Sequence, residues 1–318
     1  MAPQGKPAVP ASINACLVRA LRNSDVFVSR LALLFSTPSS TDSTLSLLAY
    51  SMILASHTLD KLLASRMELV ASQIASRASK SLQPGETLVA SLPVGEVLGA
   101  RWARAADASE RMKTARAKIS DFRAFARLWG LLGLYGWAKG HWKSYPGARK
   151  PAAAEGEGEE EEGSKVNKNK YDPTANTTIR TIVWMQISAC VAFQALENVG
   201  YLAQHGIIKL EPATTGKLFK WSSRGWCTHL TLELVRLWKT SQLTKQKRKD
   251  LAYSAAWEQE DDAWWKKLTT TSAWAPVALN FSVAPSYMFL NELGLGLCGG
   301  TASAVSVREL WKKSAPAV

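Results

Sequence analysis

Few side chains in this sequence have a type and spacing that point to bond-making chemistry. His229 and Glu233 stand four residues apart in a run that reads as helix, where an imidazole and a carboxylate can share a metal ion, although a surface hydrogen bond is the commoner use of such a pair. The four histidines are otherwise far apart, and Cys16, Cys190, Cys227 and Cys298 have no metal-ligand spacing. So few cysteines in 318 residues make no disulfide framework, which points to a reducing compartment. No phosphate-cradling loop, nucleophile elbow or metalloprotease motif occurs. The chain therefore reads as a non-enzyme, with no catalytic residue, cofactor or metal expected.

What the sequence does supply is cations beside apolar rings. It holds 13 tryptophans, and several abut a positive charge: Trp142-Lys143, Lys220-Trp221, Trp238-Lys239, Trp264-Trp265-Lys266-Lys267 and Trp311-Lys312-Lys313. Indole next to a snorkelling cation is the composition of a membrane interface, where the ring prefers headgroup depth. A Trp-rich soluble core is the alternative. The net charge of +13 directs the protein to polyanions, either phospholipid headgroups or nucleic acid.

The most ordered case is Arg101 to Lys143. Read as one helix, it places Ala105, Ala108, Met112, Ala115, Ile119, Phe122, Ala126 and Trp129 at alternating spacings of 3 and 4, an unbroken apolar stripe. Arg104, Arg111 and Lys118 lie one position before stripe residues, and Arg116 and Arg123 one position after. The acids Asp107, Glu110 and Asp121 fall on the far side. Two positive flanks would repel in a self-paired coiled coil. Against an anionic bilayer the stripe can sink to acyl depth while the cations reach back to the phosphates. The expected membrane-binding set is Arg104, Arg111, Met112, Arg116, Lys118, Ile119, Phe122, Arg123 and Trp129. A core-facing helix of an ordinary bundle is the competing assignment, because half the stripe is alanine.

The surrounding elements read as helices throughout. Residues 1–10 are Pro-rich and expected to be disordered. Ile13 to Phe35 is amphipathic, Thr37 to Thr44 (TPSSTDST) is expected to break it, and the next helix is expected from Leu45 to Lys80. Between Asp42 and Asp60 lie 17 uncharged residues, somewhat short of the ~20 needed to span a bilayer. Leu128 to Ala138 is uncharged and carries Gly130, Gly133 and Gly136, which suit close helix approach and self-association. Residues 145–177 contain EGEGEEEEG and a Lys/Asn tract, too polar to fold, and divide the chain into a 1–144 half and a 178–318 half.

In the second half, Thr177 to Gln204 is a helix with Gly206 as its C-cap, and Leu210 to Asp250 is amphipathic with a basic end. Lys267 to Glu292 encloses 24 uncharged residues and is the best spanning candidate, though Pro276 and Pro285 must kink it. Leu293 to Val307 adds 15 more, with Gly296 and Gly300 as a second small-residue pair for self-association; together the two runs suit a helical hairpin. The mean hydropathy of −0.09 argues against a polytopic transporter. The fold class expected is all-α: an amphipathic helical membrane protein with interfacial helices and one or two C-terminal embedded segments. No secretory signal is visible at the N-terminus, and SAPAV is not a peroxisomal-matrix tripeptide.

Three stretches carry a resemblance: ISDFRAFARLWGLLGLYGWA (Ile119 to Ala138), FQALENVGYLAQHGII (Phe193 to Ile208) and the run from Ala273 to Trp311. In order and spacing they resemble the fungal branch of the eleventh-peroxin family, the peroxisomal membrane-proliferation proteins, with LENVGYL the most distinctive segment. The proline pair in the last stretch departs from that pattern. The resemblance implies a peroxisomal membrane protein that elongates and tubulates the organelle membrane, self-associates and prepares sites for the dynamin-related fission machinery. It places the amphipathic helix at Arg101 to Trp129. A metabolite channel, also proposed for this family, is the runner-up; few charges lie inside the apolar runs, which speaks against it. A basic helical nucleic-acid binder is the third reading, but its module signatures are missing, so anionic phospholipid rather than nucleic acid is the expected partner.

Overall fold

The computed structural model describes residues 13–80, 82, 83, 86, 87, 89, 94–144, 172–250 and 254–314, with backbone alone for 13–23 and 94. All regular structure among them is helical: α1 (Ile13–Leu34), α2 (Pro38–Ala78), α3 (Val94–Leu98), α4 (Ala100–Ala126), α5 (Gly130–Lys143), α6 (Thr177–Gln204), α7 (Pro212–Asp250), α8 (Ala256–Ser282) and α9 (Glu292–Lys313). The all-α class stands. The 1–10 and 145–171 stretches lie outside the described residues.

Local chemistry sets the boundaries. The turn expected over Thr37 to Thr44 is confined to its first residue, because Thr37 and Ser40 form a reciprocal capping box with Pro38 in the first turn. Helix α2 therefore starts seven residues before Leu45. Asn176 caps α6 by accepting from the Ile179 amide at 3.1 Å. At the other end of α6 the chain turns through Gly206 (φ 72°), where the amides of Gly206 and Ile207 return to the carbonyls of Ala203 and Leu202. A side chain would strain that left-handed position, so the glycine ends the helix. The 101–143 run is one helix tightened by a single 3-10 turn at Arg127–Trp129, which separates α4 from α5.

The run from Lys267 to Glu292 is not a continuous span. Helix α8 contains Pro276 but ends at Ser282, the chain is extended at Val283 and Ala284, Pro285–Tyr287 forms a 3-10 turn, and α9 starts after its N-cap Asn291. The buried Asn280 holds this turn by accepting from the amides of Phe289 and Leu290 at 2.9 and 2.8 Å. Instead, α6 is the described helix long and apolar enough to cross a membrane, with a third of its apolar window (33%) buried against its neighbours.

Helices α6 to α9 follow one another as antiparallel neighbours, and the first half folds onto them. Helix α2 packs on α9 through Ser46–Ser303 (2.8 Å) and by seating Tyr50 and Leu54 against Gly299 and Gly296. Tyr50 also meets Trp274 edge-on at 5.5 Å. The uncharged runs of α2, α8 and α9 are thereby gathered into one body. Helix α4 crosses the other side of α2, and α5 lies along α6.

Candidate membrane-binding surface

The face that α4 turns to α2 is built from small and charged residues. Ser109 is 1% exposed and donates to Asp60 at 2.6 Å, Lys113 meets the same carboxylate at 2.8 Å, and Arg123 clasps Asp42 with two hydrogen bonds. Arg116 approaches Glu292 of α9 at 3.9 Å, and Arg127 pairs with Glu197 of α6 at 2.7 Å and with Asp42 at 3.7 Å. Of the expected membrane cations, Arg123 is turned inward to an ion pair within the chain at 14% exposure, and Arg116, 33% exposed, leans toward Glu292. Alanine contributes little apolar area, so charge pairing rather than the stripe sets the rotation of α4.

The opposite face is the exposed one. Arg104, Arg111 and Lys118 recur every seven residues along it, and Phe122, Phe125, Trp129 and Leu132 continue the same line at spacings of 3 and 4. All four of these apolar side chains are exposed, Trp129 at 68% and Leu132 at 71%. Among the described residues Arg111 is tied only to the exposed Asp107 on its own helix. Arg104 and Lys118 make no ion pair among the described residues. Met112 and Ile119 are half-buried, so the apolar line at the surface is Phe122-Phe125-Trp129-Leu132 rather than the whole stripe from Ala105. Phe125 was missed because Ala126 took its place in the 3-4 pattern, and Leu132 because the stripe was ended at Trp129. The spacing 118, 122, 125, 129, 132 was present in the sequence.

The small residues divide similarly. A side chain at Gly130 would collide with Gln194 of α6, and one at Gly296 with Leu54 of α2. Those two glycines are spent on packing within the chain and are corrected as self-association sites. Gly299, which the sequence pattern did not single out, makes the closest approach of all, against Tyr50. Gly300 lies at ordinary contact distance, 4.0 Å, from Leu54 and Tyr50, whereas Gly133 and Gly136 face open space on α5.

The His229–Glu233 pair does not build a metal site in this arrangement. Glu233 is 3% exposed, and its oxygens are taken by Arg236 (2.7 and 2.9 Å) and Gln186 (2.7 Å). No group of three potential metal-binding side chains occurs among the described residues. The exposed indoles stand beside cations as the sequence suggested: Trp142, Trp221, Trp238 and Trp265 are all more than half exposed, and Arg224 lies over the Trp221 ring at 4.5 Å.

These features define an all-helical protein whose outer α4–α5 face carries exposed aromatic and cationic side chains. The family model of peroxisomal biogenesis factor 11 (PEX11) matches residues 163–311, a stretch that takes in α6, α7, α8 and nearly all of α9. The chain belongs to that family: it is a peroxisomal membrane protein of the peroxisome-proliferation class, and the family is one of biogenesis factors rather than of known enzymes. None of the curated proteins and none of the solved structures compared with the chain matches it.

Proposed function

We propose that the protein remodels the peroxisomal membrane by seating the outer face of α4 and α5 in one leaflet. The observation that carries this reading is the exposed line Phe122, Phe125, Trp129 and Leu132 in register with Arg104, Arg111 and Lys118. Aromatic side chains buried to the headgroup–acyl boundary expand one leaflet relative to the other, and dense coverage favours positive curvature and tubules. The cations contribute roughly 1 kcal/mol each of attraction near an anionic surface. Coverage is raised by self-association through Gly133 and Gly136, which lie open on the same helix pair. Elongated membrane then offers the sites on which dynamin-related fission machinery assembles.

Liposomes of about 30 mol% anionic lipid, giving a surface potential on the order of −30 mV, test this directly. Replacing Phe122, Phe125, Trp129 and Leu132 by Ser should leave salt-sensitive docking but abolish tubulation. Changing Arg104, Arg111 and Lys118 to Gln should weaken docking itself. Tubulation by the serine variant equal to that of the parent would remove the wedge from the mechanism.

A further inference from the structure

The groove between the C-terminal half of α7 and the N-terminal half of α8 has no part in that reading. It encloses about 750 Å³, within the ~300–1,000 Å³ range of small-ligand sites. Its floor and walls include Leu237 and Thr240 from α7 and Ala263 and Trp264 from α8. The indole N–H of Trp264 is already satisfied by the Leu237 carbonyl at 3.0 Å, so the ring offers carbon to the groove. Trp265, 60% exposed, stands edge-on to Trp264 with ring centres 4.9 Å apart.

The rim is cationic, and its charges are unequally spent. Lys247 pairs with Glu260 at 2.8 Å, and Arg248 holds Asp261 through two bonds at 2.6 and 2.9 Å. The two carboxylates that line the groove are therefore neutralised by two neighbours on α7. Arg236 is engaged by Glu233, and Lys267 lies 3.6 Å from that same carboxylate while remaining 56% exposed. Lys245 makes no ion pair among the described residues. Net positive charge thus remains at Lys245 and Lys267, above walls that are largely carbon. A bare anion would have no use for the indole wall, and a neutral apolar ligand no use for the rim.

We propose that the α7–α8 groove binds an anionic amphiphile, its acyl chain against Trp264 and Leu237 and its phosphate or carboxylate met by Lys245 and Lys267. Two sources share that chemistry: a phospholipid that enters from the bilayer, and a free acyl anion that arrives through water. The site is separate from the α4–α5 face, so each can fail without the other.

The test uses the full-length protein in phosphatidylcholine nanodiscs at physiological salt. In one arm, dansyl-labelled undecanoate is titrated from solution and read by its emission. In the other, phosphatidic acid with brominated chains is incorporated into the discs and read by quenching of tryptophan. Saturable binding is expected in at least one arm, and the arm that saturates identifies the source. Lys245→Gln with Lys267→Gln should weaken it about 10- to 100-fold, as expected for the loss of one or two charge-assisted contacts. Ala263→Trp should abolish it by filling the groove, and Thr240→Phe does the same from the opposite wall should the first variant not fold. Lys217→Gln with Lys220→Gln, outside the groove, should leave it unchanged. Absence of saturation in both arms, or unchanged affinity in the cation variant or in a folded groove-filling variant, overturns the proposal.

Discussion

Arg123 grips Asp42 through two hydrogen bonds, Nε to Oδ1 at 2.8 Å and Nη2 to Oδ2 at 3.2 Å, and so ties α4 to the first turns of α2. Arg123 is only 14% exposed, which distinguishes it from the outward cations of the same helix. The pair fixes which face of α4 looks out. Everything proposed for the membrane surface depends on that rotation.

Arg123→Gln should therefore behave as a stability mutation and not as a membrane-affinity mutation. Loss of this half-buried bidentate pair is expected to cost about 1–2 kcal/mol, discounted because Asp42 is partly solvated and keeps Arg127 at 3.7 Å. Thermal unfolding followed by circular dichroism should shift down by several degrees. Binding of the folded variant to anionic vesicles should keep the parent's salt dependence, whereas Arg104→Gln with Lys118→Gln should reduce that dependence without moving the unfolding midpoint. A shared response in both assays would contradict the division of α4 into inner and outer cations.

The α2–α4 contact should also respond to pH. Lys113 foremost, together with Ser109, bonds to the Asp60 carboxylate and holds its pKa below the ordinary 3.8, while Asp60 and Glu110 hold the Lys113 ammonium above its ordinary value. A depressed carboxyl contributes stability that is present above its unfolded pKa and is lost as pH falls through the lower folded value. A raised ammonium contributes stability that is present below its unfolded pKa and is lost as pH rises through the folded one. The contact should be firmest between about pH 4 and pH 10. Both groups are about a third exposed, so the effect amounts to a few tenths of a kcal/mol. Hydrogen exchange of α4 amides, corrected for intrinsic rates, should show less protection at pH 3 than at pH 6, and Asp60→Asn should flatten the difference.

The helices were readable from the sequence where a cap and the periodicity agreed, as for Gly206 at the end of α6, whereas the N-cap Asn176 emerges only in the structure. The outer face of α4 was readable only in part. Arg104, Arg111 and Lys118 could be placed on one side by spacing alone, but the partners of Arg116 and Arg123 lie far away in the chain, at Glu292 and Asp42. A helical period ranks faces by hydrophobicity, and here the buried face is the one that carries paired charge. The break between α8 and α9 was legible only as a kink at its prolines: the run is uncharged throughout, and what fixes the turn is a side-chain amide capping two backbone groups nine and ten residues away.

The glycines separate packing from association. Gly299→Leu should drive a side chain into Tyr50 and destabilise the α2–α9 contact by about 1–3 kcal/mol, read as a lower unfolding midpoint. Gly133→Leu with Gly136→Leu adds side chains where nothing lies within 4 Å, so the midpoint should hold while chemical cross-linking between copies falls. Undiminished cross-linking in the second variant would move the self-association surface off α5.

The last expectation concerns the turn between α8 and α9. Asn280 is 1% exposed, and its Oδ1 accepts from the amides of both Phe289 and Leu290, which brings the exposed Tyr287 and Phe289 to the end of the hairpin. Asn280→Leu keeps the approximate volume but removes the acceptor, leaving two amides without their partner at a cost of about 2–4 kcal/mol. Asn280→Asp keeps an acceptor oxygen and should retain most of the turn. A cysteine placed at Tyr287 and reacted with a water-soluble maleimide reports the consequence. In the parent background the reagent reaches that cysteine at a fixed rate set by the turn. The leucine change should alter the rate severalfold as α8 and α9 lose their fixed connection, and the aspartate change should leave it near the parent value. Equal rates in all three backgrounds would mean that the prolines and the extended segment at Val283 hold the hairpin without help from Asn280.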